Sequence, residues 1–125
     1  MPEIYLDHSA TTAVLPEAAA RAAYMMTECY GNPSSLHTLG LRAEQELQSA
    51  RTAVAAVVGA PPEALYFTSG GTEANNLAIL GGAAAKQRRG RHIVTSQLEH
   101  PSVLAACKRL EEQGFEVTYV APAAD

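Results

Sequence analysis

A glycine-containing segment near the middle of the chain carries residues that suit phosphate binding. Residues 68–72 combine hydroxyl side chains with two consecutive glycines, after a strand-like run and before a helix-like stretch. Glycines let backbone N–H groups approach a ligand, and a helix N-terminus adds unpaired donors and partial positive charge. Thr72 adds a hydroxyl donor. The pattern matches neither G-x-x-x-x-G-K-[ST] nor G-x-G-x-x-G. A tight turn capped by Ser69 or Thr72 is the alternative.

His100 is the second candidate for chemistry. It lies between a predicted strand and a predicted helix that has Pro101 in its first turn. Open α/β sheets bind ligands at the carboxyl ends of their strands. An imidazole held there can stack on a flat ring or transfer protons. The alternative is an exposed histidine that caps the helix poorly.

Other polar groups give weaker signals. The arm at residues 7–12 and the loop at residues 32–37 read as ordinary turns or as the lining of a substrate pocket. The basic run at residues 86–92 ends a predicted helix, where cations complement the dipole. The four histidines show no H-E-x-x-H pattern, so we expect no metal site. Cys107 reads as a small core hydrophobe, and Cys29 as a partly exposed residue before a loop.

Composition limits the class of protein. The 125 residues are 47% hydrophobic and 18% charged, which favours a folded core over disorder. A net charge of −4 argues against a nucleic-acid partner. Aromatic residues are only 6% of the chain, so we expect a thin core. No apolar run is long enough for a membrane helix, and we expect a soluble, cytoplasmic chain.

The pattern of apolar residues and breakers predicts an α/β fold. Predicted helices cover residues 16–27, 37–58, 72–85 and 101–113, and predicted strands cover residues 64–68, 92–95 and 115–120. Strands that alternate with helices are typical of parallel pairing, so we expect three parallel-type strands.

Taken together, these segments resemble the N-terminal part of cysteine desulfurases of the NifS/IscS type. Those enzymes belong to the class V aminotransferases, pyridoxal-phosphate enzymes of fold type I. The motifs that carry the resemblance lie at residues 5–12, 31–37, 67–78 and 95–100, in the same order as in the family. The chain then corresponds to a single incomplete domain. Residues 1–62 form an arm and helices, and residues 63–125 begin the α/β cofactor-binding large domain.

The resemblance implies a role for each motif. The Gly71 and Thr72 amides and the Thr72 hydroxyl would hold the phosphate of pyridoxal 5'-phosphate. His100 would stack on the cofactor ring and assist proton transfer. Ala10, Thr11 and Asn32 would lie near an active site that is completed across a homodimer interface. The implied reaction takes sulfur from L-cysteine, leaving L-alanine and an enzyme persulfide. A scaffold protein for iron–sulfur cluster or thio-cofactor assembly would accept the sulfur.

Essential parts of that chemistry are missing from these residues. Neither Lys86 nor Lys108 matches the family's cofactor lysine, and neither Cys29 nor Cys107 matches its catalytic cysteine. We therefore expect no desulfurase activity from this segment alone. Another class V enzyme, such as a selenocysteine lyase or a small-amino-acid aminotransferase, is an alternative. A non-catalytic remnant that binds a phosphorylated ligand or a partner is another.

The implied fold also predicts how the strands pair. In fold type I the first strand of the large domain lies across the sheet from the next two. Residues 64–68 should therefore not pair with residues 92–95, whereas residues 92–95 should pair with residues 115–120. Unpaired strand edges are costly, so we expect marginal stability or dependence on the rest of the protein.

Overall fold

The computed structural model describes residues 4–123, which form helices and a short parallel sheet. The helices are α1 (Pro16–Thr27), α2 (Thr38–Val58), α3 (Gly71–Asn76), α4 (Gly82–Lys86) and α5 (Pro101–Glu112), and the strands are β1 (His92–Ser96) and β2 (Glu116–Val120). The α/β class is thus confirmed. The chain divides into two compact units, Met1–Leu65 and Tyr66–Asp125. That residues 1–62 and 63–125 belong to one incomplete domain stays a prediction.

The first unit contains α1 and α2, and sequence signals mark the start of α1 and both ends of α2. Pro16 occupies the first turn of α1, where its missing N–H is not needed. The His37 imidazole caps α2 by accepting from the Gly40 N–H at 3.3 Å. At the other end Gly59 takes a φ of 66°, the left-handed conformation that ends a helix. Within the described residues no helix is both long and apolar enough to cross a membrane.

Backbone packs on backbone where the loop before α2 meets the first turn of that helix. A Cβ added at Gly40 would stand 2.1 Å from the Ser35 carbonyl oxygen, and one added at Gly31 would stand 2.2 Å from that of Leu39. Both distances are far below van der Waals contact. The two glycines therefore let residues 31–37 fold closely over the start of α2.

The sheet of the second unit has two strands, not the three that the sequence predicts. In the described residues β1 pairs only with β2, in parallel, from His92 opposite Glu116 to Ser96 opposite Val120. This pairing confirms the predicted partners. The prediction of a strand at residues 64–68 is wrong. Pro62–Ala64 is a short 3₁₀ turn, and the following residues have no ladder, although Leu65 is extended. Propensity alone cannot make a strand without a neighbouring edge.

A helix crossover joins the two strands and carries the core of the second unit. Ala106, Cys107 and Leu110 of α5 are at most 2% exposed. Phe115, just before β2, is also buried, and the Arg91 guanidinium lies over its ring at 4.7 Å. Gly114 turns the chain into β2 with a φ of 81°. The predicted burial of Cys107 is confirmed.

Buried apolar residues in the described part of the chain are few and mostly small, as the composition predicts. Those of the first unit's described part are Cys29, Ala43 and Ala55. Cys29 is 4% exposed, so the prediction that it is partly exposed is wrong. Its N–H bonds to the Tyr24 carbonyl at 3.1 Å, which folds residue 29 back under the end of α1. A thin core of this kind makes each close packing contact important.

A pair of glycine substitutions tests the tight contact before α2. An Ala in a helix normally stabilises by about 1 kcal/mol relative to Gly. At Gly40 the added Cβ meets fixed carbonyl oxygens, so we expect Gly40→Ala to lower the free energy of unfolding by several kcal/mol. At Gly81, where nothing lies within 4 Å of the added Cβ, we expect a small gain. Urea unfolding of both variants checks this, and equal effects would contradict it.

Candidate functional site

The glycine turn leads directly into α3 and presents its first-turn N–H groups. Gly70 is the N-cap residue, and no side chain among residues 4–123 caps the helix. The first backbone bond of the helix runs from the Ala74 N–H to the Gly70 carbonyl at 3.1 Å. Gly71 and Thr72 are exposed, and the Thr72 hydroxyl makes no hydrogen bond within residues 4–123. These donors meet the requirement for binding an oxyanion.

One carboxylate lies beside those donors and is held in place. Glu73 accepts from the Ser69 hydroxyl and from the Ser69 N–H, both at 2.7 Å. These two bonds, the hydroxyl first, lower the pKa of Glu73 below its usual value. The carboxylate therefore stays ionised near neutral pH while its Oε2 is engaged with Ser69.

The helix after the turn is longer than α3 alone. Leu77–Gly81 continues it with π-helical bonding, and α4 completes it to Lys86. The prediction of a helix over residues 72–85 is therefore confirmed to within one residue at each end. A π segment widens one turn of a helix and often marks a functional region.

His100 occupies the cap position of α5, at the carboxyl end of β1. Its Nδ1 accepts from the Ser102 N–H at 3.1 Å and lies 2.8 Å from the Ser102 Oγ. The predicted alternative of a helix-capping histidine is therefore confirmed, and its 3.1 Å bond is of ordinary length. His100 itself is exposed, so the ring is also accessible to a ligand.

A hydrogen bond between side chains joins α3 to the start of α5. The Asn75 Nδ2 donates to the Ser102 Oγ at 2.8 Å. Asn75 lies one turn after Thr72, and Ser102 lies two residues after His100. The structure therefore connects the helix of the phosphate-binding candidates to the helix that His100 caps.

The arm residues predicted for a substrate pocket lie in the first unit. The Ala10 and Thr11 N–H groups both point to the Asp7 carbonyl, at 3.2 and 3.4 Å. The Tyr5 hydroxyl lies 2.9 Å from the carbonyls of Asp7 and Thr11 and closes the turn. Both predicted residues are exposed, so their side chains are available to a ligand.

Asn32, the other predicted pocket residue, shapes the loop before α2. Its Oδ1 accepts from the Ser34 N–H and its carbonyl accepts from the Ser35 N–H, both at 2.9 Å. This is the behaviour of an Asx turn. The carboxamide nitrogen makes no hydrogen bond within the described residues and remains a free donor.

The cysteines do not offer a nucleophile. Burial raises the pKa of the Cys107 thiol, and Cys29 is buried as well. A reactive cysteine needs exposure and a lowered pKa. Within residues 4–123 no group of three or more His, Cys, Asp or Glu side chains is arranged to hold a metal ion.

Sequence reasoning missed Ser102 and Asn75 as members of this site. A serine or asparagine in a helical stretch reads as a surface residue, and 27 positions separate this pair. The available signal was the serine two residues after a histidine at a helix start, a spacing that suits a cap.

Comparison with known proteins agrees with the fold and the motifs. The family model described as aminotransferase class-V matches residues 4–125. Cysteine desulfurase IscS of Escherichia coli O139:H28 is 50% identical over 122 residues, which are 95% of this chain and 30% of that protein. This chain therefore spans about a third or less of the length of that curated relative.

Solved structures also resemble this chain. A NifS-like protein superposes with a TM-score of 0.81 and 38% identity, over 89% of this chain and 30% of its own. SspA, solved in complex with cysteine, superposes with a TM-score of 0.83 and 36% identity, over 94% of this chain and 34% of its own. The match of the family model over nearly every residue and these likenesses lead to one conclusion: the chain belongs to the class V aminotransferase family.

Proposed function

We propose that this chain supplies the phosphate-binding turn and the ring-stacking histidine of a pyridoxal-phosphate-dependent cysteine desulfurase. The observation that carries the proposal is the hydrogen-bonded connection of α3 to the capped start of α5. It joins a helix with uncapped first-turn donors to an accessible imidazole. Support comes from the cysteine desulfurase relative and from SspA, whose structure contains cysteine.

The residues present fit the phosphate of this cofactor. The Gly71 and Thr72 amides lie in the first turn of α3, and the Thr72 hydroxyl is available as a further donor. Gly70 lacks a side chain, and no side chain of the described residues caps α3. Because Glu73 is engaged with Ser69, its carboxylate is directed at a neighbour and not at those amides.

The chain's own residues would bind the cofactor and carry a proton. The amides and hydroxyl of the α3 turn would bind the phosphate and fix the position of the cofactor. When bound, pyridoxal phosphate supplies an electron sink for bond breaking next to an amino group. His100 would stack on its ring and hold a proton at Nε2, since Nδ1 is occupied by the Ser102 N–H.

The remaining parts of a desulfurase, from the substrate side of the site to its partners, are also included in this proposal. We assign Ala10, Thr11 and Asn32 to the substrate side of the site, because the exposed Thr11 hydroxyl and Asn32 carboxamide suit an amino acid and Ala10 is exposed beside Thr11. The cofactor lysine and the nucleophilic cysteine would come from residues other than those of this chain. A homodimer, a sulfur-acceptor scaffold and a cytoplasmic location follow from the same family resemblance.

Two measurements test the proposal. The chain is titrated with pyridoxal phosphate, and binding is followed by the cofactor's absorbance and by the amide shifts of Gly71 and Thr72. We expect saturable binding with both amides among the largest shifts. L-Alanine production from L-cysteine is then measured for the chain alone, and we expect none. Absence of binding would overturn the cofactor assignment. Alanine production by the chain alone would overturn the proposal that the cofactor lysine and the nucleophilic cysteine come from residues other than those of this chain.

Replacing Thr72 tests the phosphate contact directly. We expect Thr72→Ala to weaken pyridoxal phosphate binding by about 10- to 150-fold, because a hydrogen bond to a charged group contributes about 1.5–3 kcal/mol. Thr52→Ala is the matched control, since its hydroxyl only bonds back to the Gln48 carbonyl in α2. Equal affinities for the Thr72 variant and the unaltered chain, from the same titration, would contradict the assignment.

The neighbouring carboxylate gives a prediction about pH. Loss of the Ser69 hydroxyl in Ser69→Ala should raise the pKa of Glu73 toward its usual value, with the N–H bond retained. A carboxyl whose pKa is lowered by folding stabilises the fold above its unfolded pKa, and that stabilisation is lost as the pH falls through the folded pKa.

The Ser69→Ala variant should therefore lose less stability on acidification than the unaltered chain. Carboxyl ¹³C titration of Glu73 and urea unfolding between neutral and acidic pH check this. Ser49→Ala, a serine substitution on the exposed part of α2, serves as the control and should titrate like the unaltered chain. An unchanged Glu73 titration in the Ser69 variant would show that the Ser69 hydroxyl does not lower the pKa of Glu73.

A further inference from the structure

Three residues form a continuous chain of hydrogen bonds that ends at the His100 ring. Asn75 Nδ2 contacts Ser102 Oγ at 2.8 Å, and Ser102 Oγ contacts His100 Nδ1 at 2.8 Å. The Ser102 N–H reaches the same Nδ1 at 3.1 Å. Ser102 is only 8% exposed, whereas His100 is exposed. The chain of bonds therefore passes from α3 through a buried hydroxyl to an accessible imidazole.

One assignment of protons makes every contact of this network a hydrogen bond. A backbone N–H can only donate, so Nδ1 of His100 must be an acceptor and carries no proton. The Ser102 hydroxyl then donates its single proton to Nδ1, where it shares the one lone pair with the Ser102 N–H, and accepts from Asn75. The carboxamide has to present Nδ2 and not Oδ1, because the hydroxyl has no second proton to give. The neutral ring consequently carries its proton on Nε2.

We propose that Ser102 and Asn75 are positioning residues that hold His100 as the Nε2-protonated imidazole, with its ring fixed against the start of α5. This rests on the proposed function for its catalytic meaning, since His100 is the proposed ring-stacking group. These bonds engage Nδ1 and leave the Nε2–H of this exposed residue outside the network. Asn75 acts through Ser102, and Ser102 acts on Nδ1.

A second histidine in the chain provides an internal reference. His37 also caps a helix through Nδ1, but it receives only the Gly40 N–H, at 3.3 Å. No hydroxyl in the described residues bonds to it. The difference between the Nδ1 environments of His100 and His37 therefore reports the contribution of the Ser102 hydroxyl.

The test is a ¹H–¹⁵N correlation spectrum of the imidazole rings in protein labelled at histidine. It is recorded with and without pyridoxal phosphate, and the signals are assigned by replacing each histidine in turn. In the unaltered protein we expect an unprotonated Nδ1 and a protonated Nε2 for His100. Its Nδ1 signal should be displaced further from that of an unbonded imine nitrogen than the Nδ1 signal of His37. A protonated Nδ1 on neutral His100 would overturn the proposal.

Matched variants separate this role from general packing. We expect Ser102→Ala to remove the extra displacement of His100 Nδ1 and Ser102→Thr to restore it. Asn75→Asp keeps the shape of the side chain but replaces the amide donor by a carboxylate acceptor. The Ser102 hydroxyl should then donate to this carboxylate and not to Nδ1, so the extra displacement of the His100 Nδ1 signal should also disappear. Asn76→Asp is the control, because the Asn76 amide bonds only to the Thr72 carbonyl and should leave His100 unchanged.

The outcomes distinguish this inference from the proposed function. If Ser102→Ala and Asn75→Asp leave the His100 signal unchanged, the network does not position the ring and the inference fails. The cofactor-free spectrum does not depend on cofactor binding. Failure to bind pyridoxal phosphate, with the expected shifts present, would overturn the proposed function and leave the positioning role standing.

Discussion

Parallel pairing of β1 with β2 is the constraint on which the second unit depends. Two parallel strands cannot be joined by a tight turn, so the chain must cross over through α5. That crossover places the start of α5 at the carboxyl end of β1, where His100 begins the helix. It also supplies the helix face with Cys107 and Leu110 that covers the strands. The position of the candidate histidine is therefore a consequence of sheet topology.

The site combines groups that are hydrogen-bonded within the chain with groups whose donors are available. Nδ1 of His100, the Ser102 hydroxyl and the Glu73 carboxylate are all engaged within the chain. The first-turn end of α3 and the Thr72 hydroxyl are not capped by any described side chain. A binding site needs both classes, since the first fixes geometry and the second meets the ligand. This distribution supports an anion at the α3 turn and a flat ring near His100.

Small residues carry much of the packing, and this explains both the close contacts and the thin core. Gly31 and Gly40 allow backbone atoms to approach where any side chain would collide. The buried apolar residues of the first unit's described part, Cys29, Ala43 and Ala55, are small as well. Such a core buries little apolar area. Large apolar side chains including Leu36, Val57 and Leu98 are instead more than 70% exposed, so further covering surface would stabilise the chain.

The sequence by itself determined the helices, the α/β class and the family motifs, because helix caps, glycines and apolar periods act locally. Pro16, His37 and Gly59 mark helix ends that the structure reproduces. Tertiary structure decided the rest. Residues 65–68 have strand-forming side chains but no ladder, since a strand exists only beside a partner. The Asn75–Ser102–His100 network joins positions 27 residues apart, and only the packing of α3 on α5 brings their donors and acceptors within bonding distance.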